Sequence, residues 1–402
     1  MMRSGACSPA TEEERPLPRR DWILLPAIGV VTICVLLCGT EIAARKVFFR
    51  YAGSILDCLS MDPETGVRGL PDATCREKAP ETQWVEYKFN RCGDRAGMEC
   101  GPKAEGVFRI VMSGSSTPFG MRVERDQSFA ALVPDELSQE IGRRVELYNQ
   151  SSYFYATSWD NPRVVAERLD RMMAARPNLI LIVVTPLDIE RAAFGLPNRL
   201  VFGASHAKGW KQVRAMLSEE ARANIEQQLL DKSRAIFALR HFLYESESEF
   251  MKSSLMRENE DDFLKSQLSD QWLQHLQLFD SYAGAIEARA KNAGIPFVVV
   301  LVPDRVQATM IGTGVWPAGY DPYSLGERLR SITTRQGGTY IDILPGFRGI
   351  PDVWQCYFPV DGHPNAEGHA AIARLIAKEL ASGAVPGLIS ASGQSVTLRQ
   401  ER

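Results

Sequence analysis

Apolar and polar positions divide the chain into unlike stretches. Residues 22–39 read WILLPAIGVVTICVLLCG, eighteen positions without a charge, about 27 Å of helix at 1.5 Å per residue and enough to cross a bilayer core. Pro26 and Gly29 are tolerated in such a span. Further on, short apolar runs alternate with helical periodicity. Residues 107–113 (VFRIVMS), 145–148, 179–184 (LILIVV), 295–302 (IPFVVVLV) and 340–343 are strand candidates, and the continuous apolar runs among them suit strands covered on both faces. Residues 126–142 place Phe129, Leu132, Val133, Leu137 and Ile141 on one helical face. A second helix is expected over 162–175, capped by Asp160 or Asn161 with Pro162 in its first turn, and a last one over 365–381. Strands alternating with helices imply an α/β domain with a doubly wound parallel sheet and right-handed crossovers.

Two regions depart from the alternation. Residues 195–275 are helical and charged, with Ile236, Leu239 and Leu243, then Phe263, Leu268, Trp272, Leu276 and Phe279, at helical spacing. They read as a helical insertion between the third and fourth strands, packed onto the core rather than serving as a lid or partner site. Residues 45–105 form a cysteine-bearing stem with little periodicity. The expected organisation is therefore a tail over 1–21, a transmembrane signal anchor over 22–44, the stem over 45–105, an α/β domain over 106–384 and a tail over 385–402.

The 402 residues carry 46 Lys and Arg against 49 Asp and Glu, net −3. That balance argues against a general nucleic-acid binder, which needs a basic excess to neutralise phosphates. Glu41 interrupts any cleavable signal, and Ile33 and Leu37 precede Cys34 and Cys38 where a lipoprotein site wants a small residue, so a retained anchor is expected. Four basic residues (Arg3, Arg15, Arg19, Arg20) precede the span and three (Arg45, Lys46, Arg50) follow it, a count that barely decides orientation. Cysteine usage helps more. Cys58, Cys75, Cys92 and Cys100 cluster before the first clear strand, which suits disulfides in an oxidising compartment; Cys92–Cys100 and Cys58–Cys75 are the expected pairs, leaving Cys356 over. No CxxC pair supports zinc. The domain after the span is thus expected in the periplasm or outside the cell.

Ligands of open α/β sheets bind beyond the carboxyl ends of strands. The loop after the first strand reads Ser113-Gly114-Ser115-Ser116-Thr117-Pro118-Phe119-Gly120, and near the C-terminus stands Asp361-Gly362-His363-Pro364-Asn365-Ala366-Glu367-Gly368-His369. Only five histidines occur in the chain, and this one follows a carboxylate by two residues. A Ser–His–Asp device needs a weak nucleophile, a base, and a carboxylate to orient the base. The plainer reading makes Asp361 a helix cap and His363 a surface residue.

On these motifs the chain resembles the SGNH (GDSL-type) hydrolases, over about 107–194 and 290–384. The lead-in Tyr87-Lys88-Phe89-Asn90, Gly93-Asp94-Arg95 and Phe108-Arg109-Ile110 looks like that of membrane-anchored bacterial members. The resemblance implies a flavodoxin-like three-layer fold of about five parallel strands, with Ser116 as nucleophile, His363 as base and Asp361 as its carboxylate. It also marks departures. Ser115 stands for the first-block Asp, Ser151 for the second-block Gly, and Leu187, in Thr185-Pro186-Leu187-Asp188, for the oxyanion Asn; a single residue separates Asp361 from His363. Ser151, Asn149 and Asp188 are the remaining candidates for oxyanion or substrate contact, and a missing side-chain donor costs ~10²–10³ in rate.

The function implied is an envelope-anchored serine esterase or O-acyl transferase, acting on an acetylated or otherwise acylated glycan beside envelope polysaccharide machinery, without cofactor or metal. The alternatives are a catalytically degenerate SGNH domain that binds glycan or a partner, and a phosphate-binding flavodoxin-like domain; no basic residue lies within 113–120 to favour the latter. Trp159, Trp316 and Tyr320 are candidate sugar-stacking residues, though such loop aromatics more often only pack. Asp342 is expected as a structural acceptor.

Overall fold

The computed structural model describes residues 18, 20–62, 66–153, 162–190, 232–256, 262–385 and 387–388. The expected cap at Asp160 or Asn161, Trp159, and the parts of the insertion at 191–231 and 257–261 lie outside them, as do most of both tails.

Helix α1 (Asp21–Ala43) contains the apolar run, and none of its residues is buried. The next residues build small antiparallel sheets where the sequence shows little periodicity. β1 (Ala52–Gly53) pairs with β4 (Thr74–Lys78), which pairs with β5 (Trp84–Lys88); β2 (Leu59–Asp62) pairs with β3 (Gly66–Gly69). The Cys58–Cys75 and Cys92–Cys100 disulfides both form, as their clustering suggests. Ile55, Val85, Tyr87 and Phe89 make a small core that Phe119 and Tyr153 of the α/β domain enter. The stem is thus a folded layer seated on the domain. Strands this short give too few alternations to be read from sequence.

The main sheet holds β6 (Phe108–Ser113), β7 (Val145–Asn149), β8 (Leu179–Val184), β9 (Phe297–Leu301) and β10 (Thr339–Ile341), all parallel, in the order β10-β9-β8-β6-β7. Every residue of β6, β8 and β9 is buried, which is why β8 and β9 are apolar without alternation. Helix α2 (Ser116–Phe119) follows β6, and α3 (Phe129–Ile141) leads to β7; α4 (Pro162–Ala174) and α5 (Pro186–Glu190) flank β8. Beyond them come α6 (Arg234–Tyr244), α7 (Glu247–Leu255), α8 (Asp270–Asn292), α9 (Arg305–Thr313), α10 (Ser324–Arg335) and α11 (Ala366–Glu379). α3 packs on α11, while α8 packs on α4 and α10; right-handed crossovers put these groups on opposite faces of the sheet. The chain is therefore an α/β protein with a five-stranded parallel sheet and an N-terminal apolar helix. Its strand order reverses between β6 and β8, and a crevice opens beyond their carboxyl ends.

In α8, Trp272, Leu276 and Phe279 are buried, as is Phe263 just before it, as the helical spacing predicts. In α6 the prediction fails: Leu239 and Leu243 are exposed. Cys356 is a buried free thiol, with no bond to the stem.

Candidate active site

Two loops face each other across the crevice between β6 and β8. After β6 the chain turns sharply at Gly114, where a Cβ would lie 2.4 Å from Pro118 Cγ and 2.5 Å from the Val183 carbonyl; only glycine lets the two strand ends approach so closely. Ser115 and Ser116 then open α2. On the opposite wall the chain from Phe358 to His363 doubles back, Phe358 N–H donating to the His363 carbonyl at 2.9 Å. Gly362 sits at φ +80° in this turn, so Asp361 and His363 present their side chains to one another.

The imidazole bridges both loops. His363 Nε2 lies 2.8 Å from Ser116 Oγ, and His363 Nδ1 lies 2.6 Å from Asp361 Oδ1. An ionised carboxylate only accepts, so Nδ1 carries the proton and Nε2 is left to accept from the hydroxyl. The second Asp361 oxygen accepts from Arg122 Nε at 3.0 Å. Burial works against ionisation of Asp361, yet the facing His363 and Arg122 outweigh it and hold the carboxyl well below the usual carboxylate range. Asp361 does not cap a helix: Asn365 caps α11, accepting from Gly368 N–H. His369 is fully buried and accepts from Phe129 N–H at 3.2 Å through Nδ1; burial lowers its pKa to about 3, so it is a neutral core residue.

The stem supports this arrangement from outside. Glu77 on β4 pairs with Arg122, and Tyr153 donates to the same carboxylate at 3.2 Å. Glu81 accepts from the Asp361 N–H at 2.8 Å and from the Val360 N–H at 3.0 Å, and its other contact is His241 Nδ1 of α6 at 2.7 Å. Arg95 donates to the carbonyls of Phe119 and Val123 at 3.1 and 2.8 Å while stacking 4.5 Å over the Tyr87 ring, which clamps the loop that carries Ser116. Tyr87 and Arg95 fall within the quoted lead-in, whereas Glu77 and Glu81 belong to no motif and find their partners Arg122 and Asp361 far along the chain.

A cavity of about 450 Å³ opens at Ser116, with Thr117, Leu187, Asp361 and His363 on its lining. Its far wall comes from the insertion: Tyr244, Phe250, Phe263 and Trp272 are buried there. The insertion therefore packs on the core, as expected, and lines the cavity as well. Arg305 ties it down, donating to the carbonyls of Trp354 at 3.1 Å, of Pro359 at 2.6 Å and of Tyr244, with its guanidinium 3.9 Å over Phe250. Trp316 is outside this lining; it packs edge-on against Tyr323, 6.3 Å between ring centres. Tyr320 is outside it as well, and Asp342 accepts from Leu344 N–H and Arg330.

The other candidates sit under the site rather than in the cavity. Asn149 Nδ2 donates to the Pro118 carbonyl at 2.9 Å, and its Oδ1 accepts the Ser151 N–H at 3.0 Å. Both the amide of Asn149 and the backbone donor of Ser151 are thus engaged in holding the α2 turn. Asp188 is buried and accepts from the Thr185 N–H at 2.8 Å and hydroxyl at 2.9 Å; burial raises its pKa. The first N–H groups of α2, at Ser116 and Thr117, have no acceptor within the helix. Leu187 places an apolar side chain on the lining.

No protein-family model matches the chain, and no curated protein matches it in sequence. Solved structures share similarity with it, among them the following two. A mutant of an acetyl-xylooligosaccharide esterase from Geobacillus Stearmophilus is 11% identical over 70% of this chain and 96% of that one, with a TM-score of 0.35. The lipase/acylhydrolase from Enterococcus faecalis is 11% identical over 68% of this chain and 95% of that one, with a TM-score of 0.33.

Proposed function

We propose that the chain is a membrane-anchored serine esterase or acyl transferase, held by α1 with its α/β domain in the periplasm or outside the cell. The observation that carries this reading is the continuous hydrogen-bonded series Ser116–His363–Asp361 at the mouth of the cavity. Ser116 Oγ attacks an ester carbonyl while His363 Nε2 takes its proton; Asp361 stabilises the imidazolium. The tetrahedral oxyanion is received by the N–H groups at the start of α2. Collapse breaks the ester C–O bond, His363 returns the proton to the leaving alcohol, and an acyl-serine remains. Water or a sugar hydroxyl, deprotonated by His363, then releases Ser116. The aromatic wall of Tyr244, Phe263 and Trp272 suits the apolar face of a sugar ring, which supports an acylated glycan as substrate.

The test uses the full chain in detergent, assayed with an acetyl ester and labelled with a fluorophosphonate. Hydrolysis and labelling that both disappear in Ser116→Ala and in His363→Ala support the reading. Equal rates in wild type and Ser116→Ala would remove Ser116 from the mechanism and leave a glycan-binding or partner-binding domain, the reading that the apolar Leu187 favours.

A further inference from the structure

We propose that α6 lies on the membrane surface beside the end of α1, with Leu239, Phe242 and Leu243 inserted among the lipids. The proposal rests on the reading of α1 as a membrane span. Leu239, Phe242 and Leu243 are 59, 65 and 43% exposed, and their spacing of three and four residues sets them on one face. The opposite face is the protein side: Phe237 and His241 pack on Phe49 with ring centres 5.5 and 5.3 Å apart, Phe242 meets the same ring only edge-on at 6.4 Å and is otherwise exposed, and Tyr244 is buried in the cavity wall.

The N-terminus of α6 is fixed to the anchor itself. Glu41 of α1 accepts from the Ser233 hydroxyl at 2.8 Å and from the N–H groups of Arg234 and Ala235 at 3.1 and 2.9 Å, and Arg45 donates to the Lys232 carbonyl at 2.9 Å. The carboxylate thus supplies acceptors for amides that have none within α6. Glu41 stands just past the uncharged run, at the depth where a span meets the headgroups. The exposed apolar face of α6 therefore continues the exposed surface of α1 through Val47 and Phe48, 66 and 67% exposed. Arg45, Lys46, Arg50 and Lys232 are exposed around the junction, a basic collar that fits anionic headgroups. Tyr244 is the residue after Leu243, and His241 bonds the Glu81 carboxylate that accepts from Asp361 N–H. Docking α6 on lipid consequently holds the cavity at the bilayer surface, where a membrane-borne substrate is presented.

The experiment uses the full chain in vesicles of phosphatidylethanolamine and phosphatidylglycerol. A benzophenone amino acid replaces Val31, Leu239, Leu243 or Val315 in turn, and lipid adducts are measured after illumination. Adducts from Leu239 and Leu243 on the scale of those from Val31, with none from the exposed Val315, are expected. Adducts from Val31 alone overturn the proposal and leave the span intact; none from any position overturns both. An adduct to a second copy, or to residues 191–231 of the same chain, gives the face another occupant and also overturns it. As a second arm, Leu239→Glu with Phe242→Glu should abolish the lipid adduct at Leu243 at an unchanged unfolding temperature; an adduct that persists counts against the proposal.

Discussion

Arg122 and Asp361, 239 positions apart, meet through one hydrogen bond of 3.0 Å from Nε to Oδ2. The carboxylate that orients the imidazole is thereby held from both sides. Arg122 adopts φ +72°, a left-handed conformation that a bulky side chain enters at a cost of about 1 kcal/mol or more. Glu77 in the stem and the Tyr87 hydroxyl, which accepts from Arg122 N–H at 3.1 Å, keep it there. Arg122→Leu is expected to lower kcat roughly 10–100-fold, the worth of one hydrogen bond to a charged group, and to move the acidic limb of the rate profile upward as the Asp361 pKa rises. A pH–rate profile beside that of Arg122→Lys checks this; an unmoved acidic limb would count against it.

Leu187 lines the cavity with Thr117, and under the proposed function it occupies the place of a side-chain oxyanion donor. Leu187→Asn should raise kcat, by at least about tenfold if the amide reaches the developing charge, since such a donor is worth ~10²–10³. Steady-state kinetics with an acetyl ester measure it, and a fall in kcat with KM unchanged would contradict the geometry.

Cys58–Cys75 closes a separation of 17 residues, and Cys75 lies two residues before Glu77 on β4. Replacing both cysteines by serine should destabilise the stem by about 3 kcal/mol. Because Glu77 pairs with Arg122, hydrolysis should fall with stability rather than independently of it. Unfolding temperature and rate, followed together with and without reductant, test the coupling.

Asp304 caps α9 through the Gln307 N–H at 2.9 Å and lines the cavity; burial raises its pKa to about 7. The folded state therefore binds this proton more tightly than the unfolded chain, whose carboxyl titrates near 4. Its contribution to stability is greatest below about pH 4 and is lost as the pH rises through 7. Asp304→Asn keeps a good cap and removes the titration. Its unfolding temperature should gain on the wild type steadily between pH 4 and pH 8, and a constant difference would place the proton elsewhere.

Much of the fold was legible because burial on both faces leaves an unmistakable composition. The run 179–184 coincides with β8, and the other strands of the main sheet fall within two residues of expectation. The stem was illegible for the opposite reason: its strands are two to five residues long, too short for a period of two to stand out. The insertion misled differently, since the apolar stripe of α8 faces the core while the same spacing in α6 faces outward. Periodicity identifies a face and is silent about what covers it.

The sequence by itself determined the apolar run, the parallel α/β architecture, the clustering of cysteines before the first strand and the chemical types at Ser116, Asp361 and His363, because each is written in local composition or spacing. Only the tertiary structure decided that the three side chains meet, that Arg122 and, from the stem, Glu77 and Glu81 brace them, that Ser151 and Asn149 spend their donors on the α2 turn, and that the insertion walls the cavity. Those facts are contacts between residues far apart in the chain, created by closing long loops around a sheet, and no local pattern records which surfaces that closure brings together.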